Sequence, residues 1–192
     1  MNGVVLVTGV MAAGKSTVAQ ALAERLPRAA HVREDMFRRM IVSGREEYVP
    51  GAAGETEAGE AEAGEAEAGE AEAQLRLRYR LSAATADAYA EAGFTAIVQD
   101  VVLGEYLTAY VALVRTRPLY VVVLAPDAGT VAAREAGRAK TGYDDAVWTV
   151  PALDEALRTS TPPIGLWLDT SGLTPTQTVE AILAGRERAR VL

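Results

Sequence analysis

Short apolar runs alternate along the chain with amphipathic stretches, and this alternation predicts strands separated by helices. The apolar runs are Val4–Thr8, His31–Arg33, Phe94–Gln99, Leu119–Leu124 and Ile164–Leu168, and Leu119–Leu124 is the clearest of them. Short, near-continuous apolar strands are typical of a parallel sheet that helices cover on both faces. The pattern therefore predicts an α/β protein.

Helices are predicted between these strands from apolar periodicity and end signals. They are expected over Lys15–Leu26, Asp35–Ser43, 74–92, 105–115, 127–139, 151–158 and 175–190. Leu75–Leu81 is ambiguous, because its period-2 alternation favours a strand, yet it continues without a breaker into a helical stretch that Gly93 closes. We interpret the whole stretch 74–92 as one helix.

Four tandem five-residue units, AGETE and three copies of AGEAE, occupy residues 53–72. A period of five presents no continuous apolar stripe, and each glycine costs a helix about 1 kcal/mol relative to alanine. Nothing large and apolar offsets the ordering entropy. We therefore expect a solvated, mobile insertion over 51–73, at most transiently helical; the alternative is an acidic clamp over a basic groove.

The repeat also explains the acidity of the chain. The 192 residues carry 26 acidic and 19 basic side chains, for a formal charge of −7, and eight of the acids are glutamates of the repeat. The other residues therefore hold 18 acids and 19 bases and sum to +1. The overall acidity consequently says nothing against an anionic ligand.

Composition excludes several classes of site. The chain has no cysteine and a single histidine, which rules out disulfides, thiolate zinc sites, cysteine nucleophiles and two-histidine metal sites. No apolar run approaches the roughly 18 residues of a membrane span, and no basic region precedes the first apolar run. We expect one cytoplasmic domain over 1–192, with no membrane or nucleic-acid partner, and structural roles for His31, Trp148 and Trp167.

The strongest chemical signal is Gly9-Val10-Met11-Ala12-Ala13-Gly14-Lys15-Ser16, which matches the phosphate-binding pattern G-x-x-x-x-G-K-[ST]. A predicted strand precedes it and an amphipathic helix follows, as the pattern requires. Its glycines let backbone N–H groups face phosphate oxygens, while the lysine would bridge the terminal phosphates and the serine would hold Mg²⁺. The predicted nucleotide-binding residues are Gly9, Ala12, Ala13, Gly14, Lys15, Ser16 and Thr17.

Two acidic residues follow other predicted strands, at the edge of the sheet where ligands bind in α/β proteins. Asp35 could accept the proton of an attacking hydroxyl or merely cap a helix, with Glu34 as the alternative base. Asp100 ends the apolar strand AIVQD and is a second candidate Mg²⁺ ligand beside Ser16. Val101 follows Asp100 where hydrolysing ATPases commonly place a glutamate, which favours transfer to a bound acceptor.

Cations cluster near the end of the predicted helix 127–139. Arg134 and Arg138 are four residues apart and share a helix face, and Lys140 follows. On a lid over 134–148 they could neutralise charge on a transferred phosphoryl group; otherwise they are favourable charges at a helix C-terminus.

With these motifs the sequence resembles the small P-loop kinases of the chloramphenicol phosphotransferase-like group. The resemblance is carried by LVTGVMAAGKST, Asp35, IVQDVVLG and AREAGR. It implies a P-loop fold with five parallel strands in the order 2-3-1-4-5, ATP and Mg²⁺ as cofactors, and phosphoryl transfer to a hydroxyl of a small molecule. Asp35 would be the base, and Arg134 and Arg138 would be lid arginines.

The acceptor site is predicted between the helix from Asp35, the helix 74–92 and the turn after Asp100. It would offer Phe37, Arg38, Arg78, Tyr79 and Val102. Arg76 and Arg80 share a helix face, so they either recognise an acidic group of the acceptor or form a solvated surface. The turn Asp169–Gly172 is expected to edge the base pocket.

An ATP-dependent small-molecule kinase is the leading hypothesis for function. The alternatives are a nucleotide-gated binding or regulatory module and a stand-alone ATPase. The acceptor and the oligomeric state stay open at this stage.

Overall fold

A six-stranded sheet forms the centre of the protein, of which a computed structural model describes residues 1–48, 61–137 and 149–191. The strands are β1 (Val4–Gly9), β2 (Ala29–Arg33), β3 (Thr95–Gln99), β4 (Leu119–Leu124), β5 (Leu166–Leu168) and β6 (Arg190–Val191). The first five are parallel in the order β2-β3-β1-β4-β5, which confirms the predicted fold class and strand order. The short β6 was not predicted, and it pairs antiparallel with β4.

Helices connect the strands and cover both faces of the sheet. They are α1 (Lys15–Arg25), α2 (Glu34–Met40), α3 (Ala61–Glu91), α4 (Glu105–Leu113), α5 (Ala128–Ala136), α6 (Val150–Glu155), α7 (Pro175–Ala184) and α8 (Arg186–Ala189), with a π-helical turn over Ala156–Ser160. Helix α1 packs against α7, while α3 packs against α2 and α4. Among the described residues no helix is both long and apolar enough to cross a membrane.

Helix α3 differs most from the prediction, because it begins at Ala61 within the glutamate repeat rather than at residue 74. Contacts at the end of the repeat explain the extension. Ala71 is buried, and the carboxylate of Glu72 accepts hydrogen bonds from Arg76 and from the hydroxyl of Tyr106, 34 residues away. The backbone of 61–72 is therefore helical, whereas the sequence predicted a helix only from residue 74; residues 53–60 lie outside the described residues, and the mobility of the insertion stays a prediction.

The core is built mainly from the three central strands. Every residue of β1, β3 and β4 is buried, as expected for parallel strands covered on both faces. At the carboxyl end of β1, the hydroxyl of Thr8 bonds both the amide and the carbonyl of Val102, each at 2.9 Å. This pair of bonds fixes the turn after β3 beside the loop after β1, at the edge where ligands bind in such folds.

Gly165, just before β5, occupies a position that only glycine fits well. Its φ is +78°, and an added Cβ would lie 2.3 Å from the carbonyl oxygen of Val121. We expect Gly165→Ala to lower the free energy of unfolding by roughly 2–3 kcal/mol, because both the dihedral strain and the clash with a buried strand oppose it.

Urea unfolding measures this loss, and Gly172→Ala is the matched control. A Cβ at Gly172 would meet nothing within 4 Å. That variant should change stability by less than about 0.5 kcal/mol. Equal losses in the two variants would contradict the dihedral strain and the clash at Gly165 as the cause.

Candidate functional site

The phosphate-binding motif forms a turn between β1 and α1 that depends on positive φ values. Gly9 has φ +141° and Gly14 has φ +97°, and Ala12 is the one described residue other than glycine with positive φ. A Cβ on Gly9 would lie 2.4 Å from the carbonyl oxygen of Leu124. The turn leads directly into α1, whose first turn has no acidic residue. A helix N-terminus entered in this way attracts an anion.

Lys15 lies over the loop that precedes it. Its Nζ donates hydrogen bonds to the carbonyl oxygens of Gly9 at 3.0 Å and Val10 at 2.7 Å. The next two side chains, Ser16 and Thr17, are exposed in the first turn of α1. The loop therefore presents an ammonium group and two hydroxyls together, which is the donor set that a bound polyphosphate needs.

Arg134 reaches the same loop from α5. Its guanidinium donates to the carbonyl oxygen of Ala13 at 3.2 Å and to that of Thr170 at 2.8 Å. It thereby joins the phosphate loop to the turn after β5, where the base pocket is predicted. Arg138, Lys140 and most of the predicted lid 134–148 lie outside the described residues, as does Trp148.

A buried ion cluster lies at the carboxyl ends of β2 and β3. Arg78 of α3 places Nε 3.2 Å from Oε2 of Glu34 and Nη2 3.2 Å from Oδ1 of Asp100. Oδ1 of Asp100 also accepts the amide of Val101 at 2.6 Å, whereas Oδ2 is buried and accepts no hydrogen bond from the residues that the structure describes. The sequence indicated Arg78 and Asp100 separately but not their pairing with Glu34.

Burial and charge oppose each other in this cluster. The pKa of the Asp100 carboxyl is raised to about 8, mainly by burial; the charge of Arg78 opposes the rise and the charge of Glu34 adds to it. Burial alone would lower the pKa of the Arg78 guanidinium, but the charges of Asp100 and Glu34 outweigh it and hold that pKa above its usual value. Arg78 is thus the cation that makes two buried carboxylates tolerable.

Asp35 lies in the first turn of α2 and does not cap it, because Arg33 occupies the cap position. Its Oδ2 lies 3.0 Å from Nη2 of Arg39, and its Oδ1 lies 3.7 Å from Nε of Arg33. Oδ1 is buried and, among the described residues, receives no hydrogen bond. Oδ1 therefore has unused capacity to accept a hydrogen bond.

A cavity of about 130 Å³ lies between α2, the segment 41–48 and α3. Three predicted acceptor residues, Phe37, Arg38 and Arg78, line it. The other two do not: Val102 is fully buried in the core, and Tyr79 is buried with its hydroxyl bonded to the carbonyl oxygen of Val101. Their prediction as lining residues is corrected accordingly.

The segment 41–48 closes one side of the cavity through contacts with distant residues. The side-chain amide of Gln74 donates to the carbonyl oxygen of Gly44 at 2.7 Å and accepts the amide of Glu46 at 2.9 Å. Arg38 pairs with Glu47. Sequence reasoning missed these partners, since they are 9 to 30 residues apart and no local pattern links them.

The remaining described candidate side chains have other surroundings. Arg76 and Arg80 are exposed, and Arg76 pairs with Glu72, which supports the solvated surface. His31 is half-buried, with Nδ1 2.9 Å from the amide oxygen of Gln20, and burial lowers its pKa. Trp167 is also half-buried and packs against the core.

Comparison with known proteins agrees with the fold. The profile of a family described as "AAA domain" matches residues 4–163. A sugar kinase from Janibacter sp. HTCC2649 has a similar structure, with a TM-score of 0.65 and 20% identity over 98% of this chain and 96% of that one. So does a gluconokinase from Sinorhizobium meliloti 1021, with a TM-score of 0.63 and 16% identity over 97% and 92%.

The tunicamycin resistance protein of Deinococcus radiodurans is also similar, with a TM-score of 0.63 and 13% identity over 100% of this chain and 99% of that chain. Identities this low establish the shared P-loop kinase-like fold and nothing finer. No curated protein matches the sequence at a significant level.

Proposed function

The chain belongs to the AAA domain family of P-loop proteins, and from that premise we propose that it is a phosphotransferase that moves the γ-phosphoryl group of ATP to a hydroxyl of a small molecule. One observation carries the proposal. Lys15 and Arg134 meet at the phosphate loop, and Arg78 connects the same edge of the sheet to a separate cavity. A polyphosphate site beside a second pocket is what transfer to a bound acceptor requires.

The residues at the loop suit a magnesium nucleotide. Ser16 is exposed at the start of α1, and Asp100 has a buried oxygen without a described partner, so these two would hold Mg²⁺ directly or through water. The described residues contain no cluster of three acidic or histidine side chains, which agrees with an ion that takes its other ligands from phosphates and water. When bound, Mg²⁺ neutralises negative charge on the β- and γ-phosphates.

The protein's own groups would supply the rest of the chemistry. Loop amides and Lys15 bind the phosphates, and Arg134 offers a second cation at the same loop. The acceptor oxygen forms a bond to the γ-phosphorus, the bond from that phosphorus to the β-phosphate oxygen breaks, and ADP leaves. We propose Oδ1 of Asp35 as the group that takes the acceptor's proton, because it is the oxygen of that carboxylate with unused accepting capacity.

Glu34 is the competing base, and its partners give it a structural role instead. Its Oε2 lies 3.2 Å from Nε of Arg78, although that oxygen, like Oδ1 of Asp35, accepts no hydrogen bond from the described residues. The acceptor classes of the similar structures, among them sugars and gluconate, are hypotheses for this chain, as is membership of the chloramphenicol phosphotransferase-like group.

The test is a transfer screen with γ-labelled ATP over hydroxylated metabolites and antibiotics, using wild type, Asp35→Asn and Glu34→Gln. Asp35→Asn should lower transfer by about 10²–10⁴-fold, because it removes the base while leaving the phosphate loop intact. ATP affinity, measured by calorimetry, should stay within a factor of about two.

Glu34→Gln should chiefly change stability. Loss of transfer in this variant, with full activity in Asp35→Asn and unchanged ATP affinity in both, would move the base to Glu34. Rapid phosphate release without any acceptor would contradict the transferase itself and favour a stand-alone ATPase.

A further inference from the structure

We infer that the acceptor is an uncharged alcohol that carries an apolar group about the size of a benzene ring, and that this group occupies the cavity between α2, the segment 41–48 and α3. This substrate class presupposes the phosphotransferase proposed above. It follows from the size, the lining and the charge pairing of the cavity, taken in turn.

The size of the cavity indicates the size of the group that fits it. Its volume is about 130 Å³. A cavity of about 150 Å³ binds benzene, so this volume matches a single ring or a short branched alkyl group. Apolar side chains supply much of the wall, namely Phe37, Met40, Ile41, Leu75, Leu77 and Leu81. A sugar ring would place some of its hydroxyl groups against these six side chains, which offer no hydrogen-bond partner, and this is costly.

Charge pairing within the wall disfavours an anionic acceptor. Two arginines line the cavity, and each is paired with carboxylates: Arg38 with Glu47, and Arg78 with Glu34 and Asp100. A carboxylate or phosphate on the acceptor would have to compete with these partners. It would also lie beside Glu46 and Glu47, which line the same cavity and repel it.

The position of the cavity relates its occupant to the reaction. Arg78 forms part of the wall and also contacts Glu34 and Asp100 at the carboxyl ends of the strands. Lys15 lies close enough to Asp100 to lower the pKa of that carboxyl. A hydroxyl at the Arg78 end of a bound ring would therefore face the phosphate loop, whereas the opposite end of the ring would face the segment 41–48.

Methionine methyl groups allow occupancy to be measured without any turnover. The chain has four methionines, at positions 1, 11, 36 and 40. Met40 lines the cavity, whereas Met1 precedes the amino end of β1, at the opposite edge of the sheet. In protein labelled with ¹³C at the methionine methyl groups, 4-methylbenzyl alcohol should shift the Met40 signal saturably and leave Met1 unchanged.

Two charged relatives of this probe and an uncharged sugar test the substrate class. The dissociation constant of 4-(hydroxymethyl)benzoate should be at least about tenfold higher than that of 4-methylbenzyl alcohol, and D-glucose should not shift Met40. Equal binding of the benzoate, tighter binding of 4-(aminomethyl)benzyl alcohol, or a saturable shift by glucose would overturn the inference.

A pair of variants tests the charge pairing directly. Glu47→Gln releases Arg38 from its partner, so it should lower the dissociation constant of the benzoate by about tenfold and leave that of the neutral alcohol unchanged. Glu46→Gln removes the same charge from the same wall without touching that ion pair and is the matched control. Both side chains are exposed, so neither change threatens the fold. Equal gains in the two variants would overturn the role of the pair.

Transfer assays on the same probes separate this inference from the function on which it rests. The neutral alcohol could shift the Met40 signal saturably although no alcohol accepts a phosphoryl group. That result would contradict the proposed phosphotransferase activity but support binding of the apolar group in the cavity. Transfer to an acceptor that leaves Met40 unshifted would overturn the inference while the phosphotransferase stands.

Discussion

Lys15→Ala is expected to lower phosphate transfer by about 10²–10³-fold, the loss found when one preorganised charged donor is removed from a transition state. The Nζ group lies at the mouth of the loop, bonded to the carbonyl oxygens of Gly9 and Val10. Transfer of a phosphoryl group develops charge at the oxygens this ammonium would bind. Single-turnover transfer from γ-labelled ATP measures the effect, with ATP affinity measured separately.

Arg25→Ala is the matched control for this prediction. Arg25 lies in the last turn of the same helix, and its replacement removes the same charge. Among the described residues it forms an exposed ion pair with Glu180 at 3.6 Å. Transfer in this variant should stay within a factor of about two, since exposed pairs contribute little. A similar loss in both variants would mean that net charge, rather than the loop lysine, sets the rate.

The second large effect is expected on stability. Arg78→Met should lower the free energy of unfolding by about 3 kcal/mol, because it leaves the carboxylates of Glu34 and Asp100 buried without their shared cation. Methionine keeps most of the apolar length, so lost packing contributes little. Urea unfolding at about pH 9 measures the change, because the Asp100 carboxyl, whose pKa is raised to about 8, is largely ionised there in the wild type.

Two further variants make this prediction specific. Adding Asp100→Asn to Arg78→Met should restore part of the loss, since one of the two unpaired charges is then gone. Arg80→Met, two residues along the same helix and exposed, should change stability by less than about 0.5 kcal/mol. A double variant that is less stable than Arg78→Met would contradict repulsion between the carboxylates as the cause.

The phosphate loop was predictable from sequence because all of its determinants are contiguous. Gly9, Gly14 and Lys15 lie in one short segment, and their positions relative to one another follow from the local chain. Arg134 was predicted as a lid arginine, and that role stays a prediction; its hydrogen bonds to Ala13 and Thr170 join distant segments, so no local pattern indicates them.

The acceptor side was only partly predictable, because its determinants are far apart in sequence. Arg78 and Tyr79 are adjacent, so their side chains point about 100° apart around α3 and cannot both face one cavity. Sequence alone offers no means of choosing between them. The partners of Gln74 on the segment 41–48 depend on how two distant stretches meet, which periodicity does not encode.

The start of α3 was misplaced for a related reason. The glycines and the like charges of the repeat both lower its helix propensity, and this part of the prediction is physically sound. Tertiary contacts act against this low propensity, because the hydrogen bond from Tyr106 to Glu72 and the burial of Ala71 hold the last unit of the repeat against the domain. Such contacts become visible only once α3 and α4 are placed side by side.

The anchoring of the last unit has a consequence if the number of units in the repeat changes. Tandem copies of one short unit gain or lose members readily, and each unit of five residues adds about 7.5 Å of helix and rotates what precedes it by about 140°. Glu70 bonds Gln74 and Glu72 bonds Arg76, in the turns of α3 just before the cavity. The position of Arg78 is therefore fixed by contacts of the last unit and does not depend on how many units precede it. A change in the number of units would redirect the chain that precedes α3, while the residues of α3 that line the cavity would keep their positions.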